Sequence, residues 1–227
     1  MGILRGGLLV VVSVLLFVVF LAGNVLWTLD KSLDYETIKP ELVSAVKEAI
    51  GGEINVSEVV GDEFGLMEVY CLDNSEYVFS EGDYTFAIPC EVISEQGPDA
   101  VVDFIIEDFV KKIYNGGVEQ AKFNFAKLKD SIHLYFYYAF MIAIALFVLV
   151  FFLAEAKSNA FIISGSLLSI SALPFAKIDS FFSFVPFDFV EYFVVFFSKA
   201  YSVFLTSLIF GLIILGIVII ISFGLLD

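Results

Sequence analysis

The sequence is poor in the residues that carry chemistry. Its 227 residues include one histidine, two cysteines and one tryptophan, and 12 Lys and Arg stand against 27 Asp and Glu. A single imidazole, His133, cannot assemble the ligand sets that hold zinc. Gly-x-Ser-x-Gly, His-Glu-x-x-His and glycine-rich phosphate-binding loops are all missing, so no familiar catalytic pattern is present. A net charge of −15 repels nucleic acid and anionic lipid head groups, which argues against DNA or RNA as a partner. Carboxylates are abundant, but Asp73, Asp83, Asp103, Glu107 and Asp108 do not fall at the spacing of a calcium loop. With so many acids, a pair suited to glycoside hydrolysis carries little weight. The sequence thus offers no catalytic, cofactor-binding or metal-binding residue. A non-enzymatic role is expected, with His133 an interfacial residue at the end of a span.

Charge is also missing from the long apolar runs. Leu8 to Trp27, Leu134 to Leu153 and Val203 to Leu226 contain no charged residue, and each meets the ~20 residues a helix needs to cross a ~30 Å hydrocarbon layer. A fourth run, Ala160 to Ala176, is shorter and rich in serine; its length allows either a span or a re-entrant segment. Without an intramembrane acid or base, a pump or ion-coupled transporter is disfavoured. The first run follows Arg5 and ends in small residues like a signal peptide, but it is too long for an h-region and is expected to be retained. Leu21-Ala22-Gly23-Asn24 has Asn where a lipoprotein would need cysteine. Gly6 stands where N-myristoylation expects Ser or Thr.

The charge that does exist is segregated. Between Thr28 and Ser131 there are 22 acidic and 8 basic residues, so this segment holds nearly the whole net charge. Four spans would place it opposite both termini. The positive-inside signal is weak, with Arg5 and Lys157 on one side against Lys177 and Lys199 on the other. Trp27, Tyr135, Tyr137, Tyr138, Tyr192 and Tyr201 fall at the span ends facing the acidic segment and form an aromatic belt. Cys71 and Cys90 lie in the same segment, where a disulfide needs an oxidising compartment. The expected architecture is a membrane all-α protein of four transmembrane helices, with an extracytoplasmic α+β domain inserted between the first and second. Its parts are residues 1–27, the acidic domain 28–131, and residues 132–227 with an outer amphipathic segment at about 181–199. The plasma membrane with cytoplasmic termini is the expected location. Asn55-Val56-Ser57 is an N-glycosylation acceptor pattern on the external side, meaningful only in a host that glycosylates.

Within the acidic segment, Ile38, Leu42, Val46, Ala49 and Ile50 recur at helical spacing, with Gly51-Gly52 as the stop. A second helix runs from Pro98, with Val101, Val102, Ile105, Ile106, Phe109, Val110 and Ile113 on one face and Gly116-Gly117 at its end. A third, from Val118 to Asp130, is expected to enter the second span. Ile54 to Val60, Leu66 to Leu72, Glu76 to Ser80 and Tyr84 to Ile93 have strand character. A simple meander of these strands puts Cys71 and Cys90 two strands apart, beyond the ~7 Å Cα limit of a bridge. A disulfide then requires either that the Leu66 and Tyr84 strands be neighbours or that Pro89 end its strand. Otherwise the two thiols stay free and buried.

The serines of the fourth run, Ser164, Ser166, Ser169 and Ser171, read first as close helix packing. From Phe181 to Lys199, Asp188, Glu191, Tyr192 and Lys199 share one face of a helix begun at Pro186, opposite a phenylalanine face. Asp188, Glu191 and Lys199 form a stripe for docking under the external domain, or the helix lies in the interface. The order of spans and cysteine pair is that of claudin-like tetraspan proteins, but their tryptophan and cysteine signature is missing, as is the Cys-Cys-Gly of tetraspanins. Neither membership follows. The expected function is presentation of the external domain for protein–protein contact or assembly. The partners expected are the lipid bilayer and a second copy or another membrane or surface protein. An oligomeric channel lined by the serine-rich helix and a membrane-bound extracytoplasmic hydrolase are the alternatives.

Overall fold

A computed structural model describes residues 2–53, 56–81, 84–117, 124–178 and 195–222. The chain divides into two compact units, residues 35–127 and residues 1–34 with 128–227. Helix dominates both.

The second of these holds four helices long and apolar enough to cross a membrane. They are α1 (Gly2–Ser32), α6 (Phe125–Leu153), α7 (Lys157–Ala172) and α8 (Ala200–Ser222). A 3-10 turn, Leu173–Lys177, extends α7, so the shorter fourth run becomes an apolar helical stretch of 21 residues. That is long enough to span. These helices make the chain a membrane protein: in water their exposed leucine, isoleucine and phenylalanine side chains would have no counterpart, whereas lipid solvates them.

In the 35–127 unit the elements are α2 (Tyr35–Glu53), α3 (Val56–Tyr70), β1 (Glu76–Glu81), β2 (Tyr84–Pro89), α4 (Cys90–Gln96) and α5 (Pro98–Asn115). Two expectations change here. Where strands over Ile54 to Val60 and Leu66 to Leu72 were expected, the chain forms one helix, α3. Val60, Phe64, Met67 and Cys71 recur at helical spacing and enter one core, and that stripe outweighs the β-branched residues that favour a strand. Gly51-Gly52 does not stop α2, which continues to Glu53; glycine permits a left-handed turn without imposing one. The helix from Pro98 does end as read. Gly116, at φ 72°, donates its N–H to Ile113 O at 3.1 Å and Gly117 donates to Lys112 O at 2.8 Å, the paired bonds of a Schellman cap.

β1 and β2 pair antiparallel with Phe79 opposite Phe86 and Tyr77 opposite Ile88. Alternation puts these four on one face, against α3, α4 and α5, while Val78 and Ala87 face outward. Val60, Met67, Phe79, Phe86, Ile88, Ile93, Val101 and Ile105 make this core, and a second cluster of Val46, Ile106 and Val110 joins α2 to α5. Pro89 ends β2, and Cys90 starts α4 instead of continuing the strand. Cys71 sits just past α3, its N–H donating to Met67 O at 3.0 Å, while Cys90 N–H donates to Ser75 O at 2.9 Å. The cysteines thus face each other across a helix end and a helix start, 5.3 Å apart at Cα, and form a disulfide. The obstacle of two intervening strands disappears because Cys71 is not on a strand.

Part of the acidic surplus is internally paired. Lys39 of α2 contacts Glu107 of α5 at 2.7 Å, Lys47 contacts Asp103 at 3.3 Å, and Lys112 contacts Asp108 at 2.8 Å. Lys112 also donates to Thr85 O at 2.9 Å and lies 4.6 Å from the Phe86 ring centre, tying α5 to β2. The Lys39 hydrogen bond holds the Glu107 carboxyl below its ordinary range, and Glu107 raises Lys39 in turn. Burial raises the Tyr35 phenol, whose ring stands edge-on to Tyr114.

Candidate functional site

The membrane unit contains a polar node and an apolar cavity. Asn24 lies three residues before Trp27 in the uncharged run of α1, where an unsatisfied amide would cost several kcal/mol in hydrocarbon. Both ends of its side chain are satisfied. Ser207 of α8 donates to Asn24 Oδ1 at 2.7 Å, and Asn24 Nδ2 donates to Ser171 of α7 at 3.1 Å. The Ser171 hydroxyl donates in turn to Leu168 O at 2.8 Å, and Thr28 donates to Asn24 O at 2.8 Å. All four side chains are buried, so one amide joins α1, α7 and α8.

Close packing reinforces that junction. A Cβ placed on Gly165 of α7 would meet Gly211 O of α8 at 2.8 Å, and one on Gly211 would meet Gly165 O at 2.8 Å. Only hydrogens on those Cα atoms let the two helices approach this closely. Ser169 donates back to Gly165 O at 3.0 Å, and Ser164 and Ser171 are buried. Ser169 and Ser171 of α7 thus make their hydrogen bonds within the chain.

Helix α6 is held at its two ends. At its C-terminus Arg5 donates to the carbonyls of Phe152, Leu153 and Ala154 at 3.1, 2.8 and 3.0 Å, and Lys157 donates to Phe151 O at 2.9 Å. These cations cover carbonyls that the helix cannot satisfy itself. Toward the other end His133 Nδ1 donates to Asp30 Oδ1 at 3.0 Å, Lys129 pairs with Asp34 at 3.4 Å, and Trp27 stacks on Phe136 at 6.0 Å between ring centres. Ala143, Val150 and Ala154 pack with Val12 and Leu16 of α1 and Ala160 of α7.

Between the clamps, α6 stands away from the other three helices and leaves a cavity of about 590 Å³. Its walls are Phe20, Gly23, Asn24 and Trp27 of α1, Phe136, Ala139, Phe140 and Phe147 of α6, Phe161, Ser164 and Leu168 of α7, and Ser207, Phe210 and Ile214 of α8. None of these is charged. Phe140, Ile144 and Phe210 are half exposed, so the cavity opens sideways between α6 and α8. Its open side gives lipid hydrocarbon direct access to these apolar walls. Ser164 is 1% exposed, and its hydroxyl has no partner among the described residues.

Against the residues singled out from the sequence, the placement is uneven. Tyr135, Tyr137, Tyr138 and Tyr201 are exposed on the outside of α6 and α8, whereas Trp27 turns inward to line the cavity. Tyr192, Asp188, Glu191 and Asn55 lie outside the described residues. Lys199 is exposed, and its backbone N–H donates to Ser32 Oγ at 3.1 Å. The node at Asn24 escaped the sequence reading, although an amide inside an apolar 20-residue run was its signal. The cavity had no signal, because it depends on how far one helix stands from three others. Among the described residues no cluster of His, Cys, Asp and Glu could hold a metal ion. No family model, curated protein or solved structure matches the chain.

Proposed function

We propose that this is a multi-pass protein of the plasma membrane whose acidic segment, residues 28–131, stands on the extracytoplasmic side and makes contact with another protein or a second copy, with both termini cytoplasmic. The observation that carries this reading is an apolar stripe left uncovered on the disulfide-bonded unit. Leu66 and Val69, 69% and 66% exposed, share one face of α3 with Tyr70, and Leu72 follows at 81%. Water-facing apolar groups gathered in one place mark contact sites more often than solvent surfaces. The disulfide beside them supports an oxidising compartment.

A photo-crosslinking residue at Leu66, with one at the outward-facing Glu95 as control, tests the proposal in intact cells. The Leu66 position should yield a discrete adduct of fixed mass that the control does not. Adducts equal at both positions, or a protease added outside that fails to cut the 28–131 segment, would overturn it.

A further inference from the structure

We propose that the cavity behind α6 is a binding site for one molecule of a neutral, long-chain lipid that carries a single hydroxyl or carbonyl oxygen. This rests on the membrane spans and not on the contact role proposed for the other unit. Pockets of roughly 300–1,000 Å³ with mostly apolar walls and a few polar groups are the usual form of a small-molecule site, and 590 Å³ falls within that range. From Phe136 to Phe147 the wall runs ~16 Å at ~1.5 Å per residue, about half of a ~30 Å hydrocarbon layer. The length therefore suits a chain drawn from one leaflet.

Three observations select the chemistry. No charged residue lines the wall, so a phosphate or ammonium has no partner inside. Beyond Trp27 and Phe136, His133 is held by Asp30 and Lys129 by Asp34. In the wall Ser164 brings a buried hydroxyl without a partner among the described residues, while Asn24 is already bonded to Ser171 and Ser207. A lipid oxygen placed there supplies what the protein does not. The lateral opening past Phe140 and Phe210 gives entry directly from the bilayer.

Trp27 is the sole tryptophan and stands in the wall, so its fluorescence reports occupancy. The full chain in phosphatidylcholine nanodiscs is titrated with a brominated long-chain alcohol, with the matching bromoalkane and with phosphatidylcholine brominated on the same chain. The alcohol should quench Trp27 saturably at low mole fraction, while brominated phosphatidylcholine quenches only in proportion to its amount. Gly23→Leu, which adds bulk where a Cβ meets nothing within 4 Å, and Ala139→Leu from the opposite wall should each remove the saturable part, with helicity by circular dichroism unchanged in at least one of them. Ser164→Ala should cut the preference for alcohol over bromoalkane by roughly fivefold, the worth of one modest hydrogen bond. Equal quenching by alcohol and phosphatidylcholine, saturable quenching that survives both filling changes, or an alcohol preference unaltered in Ser164→Ala would overturn the proposal.

Discussion

Removal of the Cys71–Cys90 disulfide gives a perturbation whose size follows from the chain path. The bond closes a loop with a sequence separation of 19. In the chain-entropy treatment such a closure withholds about 11 cal/mol/K from the unfolded ensemble, or about 3 kcal/mol at 25 °C. For a unit of roughly 60–100 residues each kcal/mol moves the midpoint by ~4–8 °C, so the double variant Cys71→Ala/Cys90→Ala should lose on the order of 12–24 °C. Native ties on either side limit any larger effect, since Cys71 and Cys90 keep their backbone bonds to Met67 and Ser75 without the sulfur link. The assay is pulse proteolysis of the full chain in nanodiscs after graded heating, with cleavage inside residues 35–127 as the readout. Wild-type protein treated with a reductant should coincide with the double variant. A midpoint lowered by less than about 3 °C, well under the ~4 °C expected of even 1 kcal/mol, would refute the reasoning: the loop would then be as restricted in the unfolded chain without the bond as with it.

Gly165→Ala puts a methyl group against the Gly211 carbonyl, a backbone atom that cannot rotate away, so α7 and α8 must separate; a loss of about 1–3 kcal/mol in detergent unfolding is expected. Gly216→Ala, where a Cβ meets nothing within 4 Å, should leave that stability unchanged. Asn24→Leu removes the two interhelical hydrogen bonds to Ser171 and Ser207 and should cost about 1 kcal/mol in the same assay, at ~0.6 kcal/mol per bond. The Lys39–Glu107 pair gives the 35–127 unit a pH dependence of known sign. Glu107 has a lowered folded-state pKa, so its contribution is present above the ordinary carboxylate value of 4.5 and is lost as pH falls through the depressed one. In pulse proteolysis from pH 7 to pH 3, Glu107→Gln should be less stable than wild type at neutral pH and converge with it at the acid end. Lys39 works in the opposite limb, its contribution disappearing as pH rises past its raised value.

The soluble unit shows where periodicity is a sufficient guide and where it is ambiguous. The helix from Pro98 was legible because its apolar spacing, its dipole-matched charges and its glycine cap agree with one another. For Val56 to Tyr70 they conflict. Valines and alternation suggest strands, yet the stripe from Val60 to Cys71 suggests a helix, and only burial against Phe79, Ile93 and Val101 decides between them. The disulfide was legible as a pair of thiols in one segment. Its feasibility depended on Pro89 turning the chain out of β2 and on Cys71 ending a helix.

The sequence by itself determined that three uncharged runs and a serine-rich fourth are too apolar for water, and that the charge lies almost wholly in the segment between the first two. Those are sums over composition, and no partner is needed to evaluate them. Only the tertiary structure decided that Asn24 meets Ser171 and Ser207, that Gly165 faces Gly211, and that α6 leaves a cavity between its two clamps. Each of these is a distance between residues far apart in the chain. Such distances are fixed by which surfaces of four similar helices fit together, and hydrophobicity alone makes those surfaces nearly equivalent.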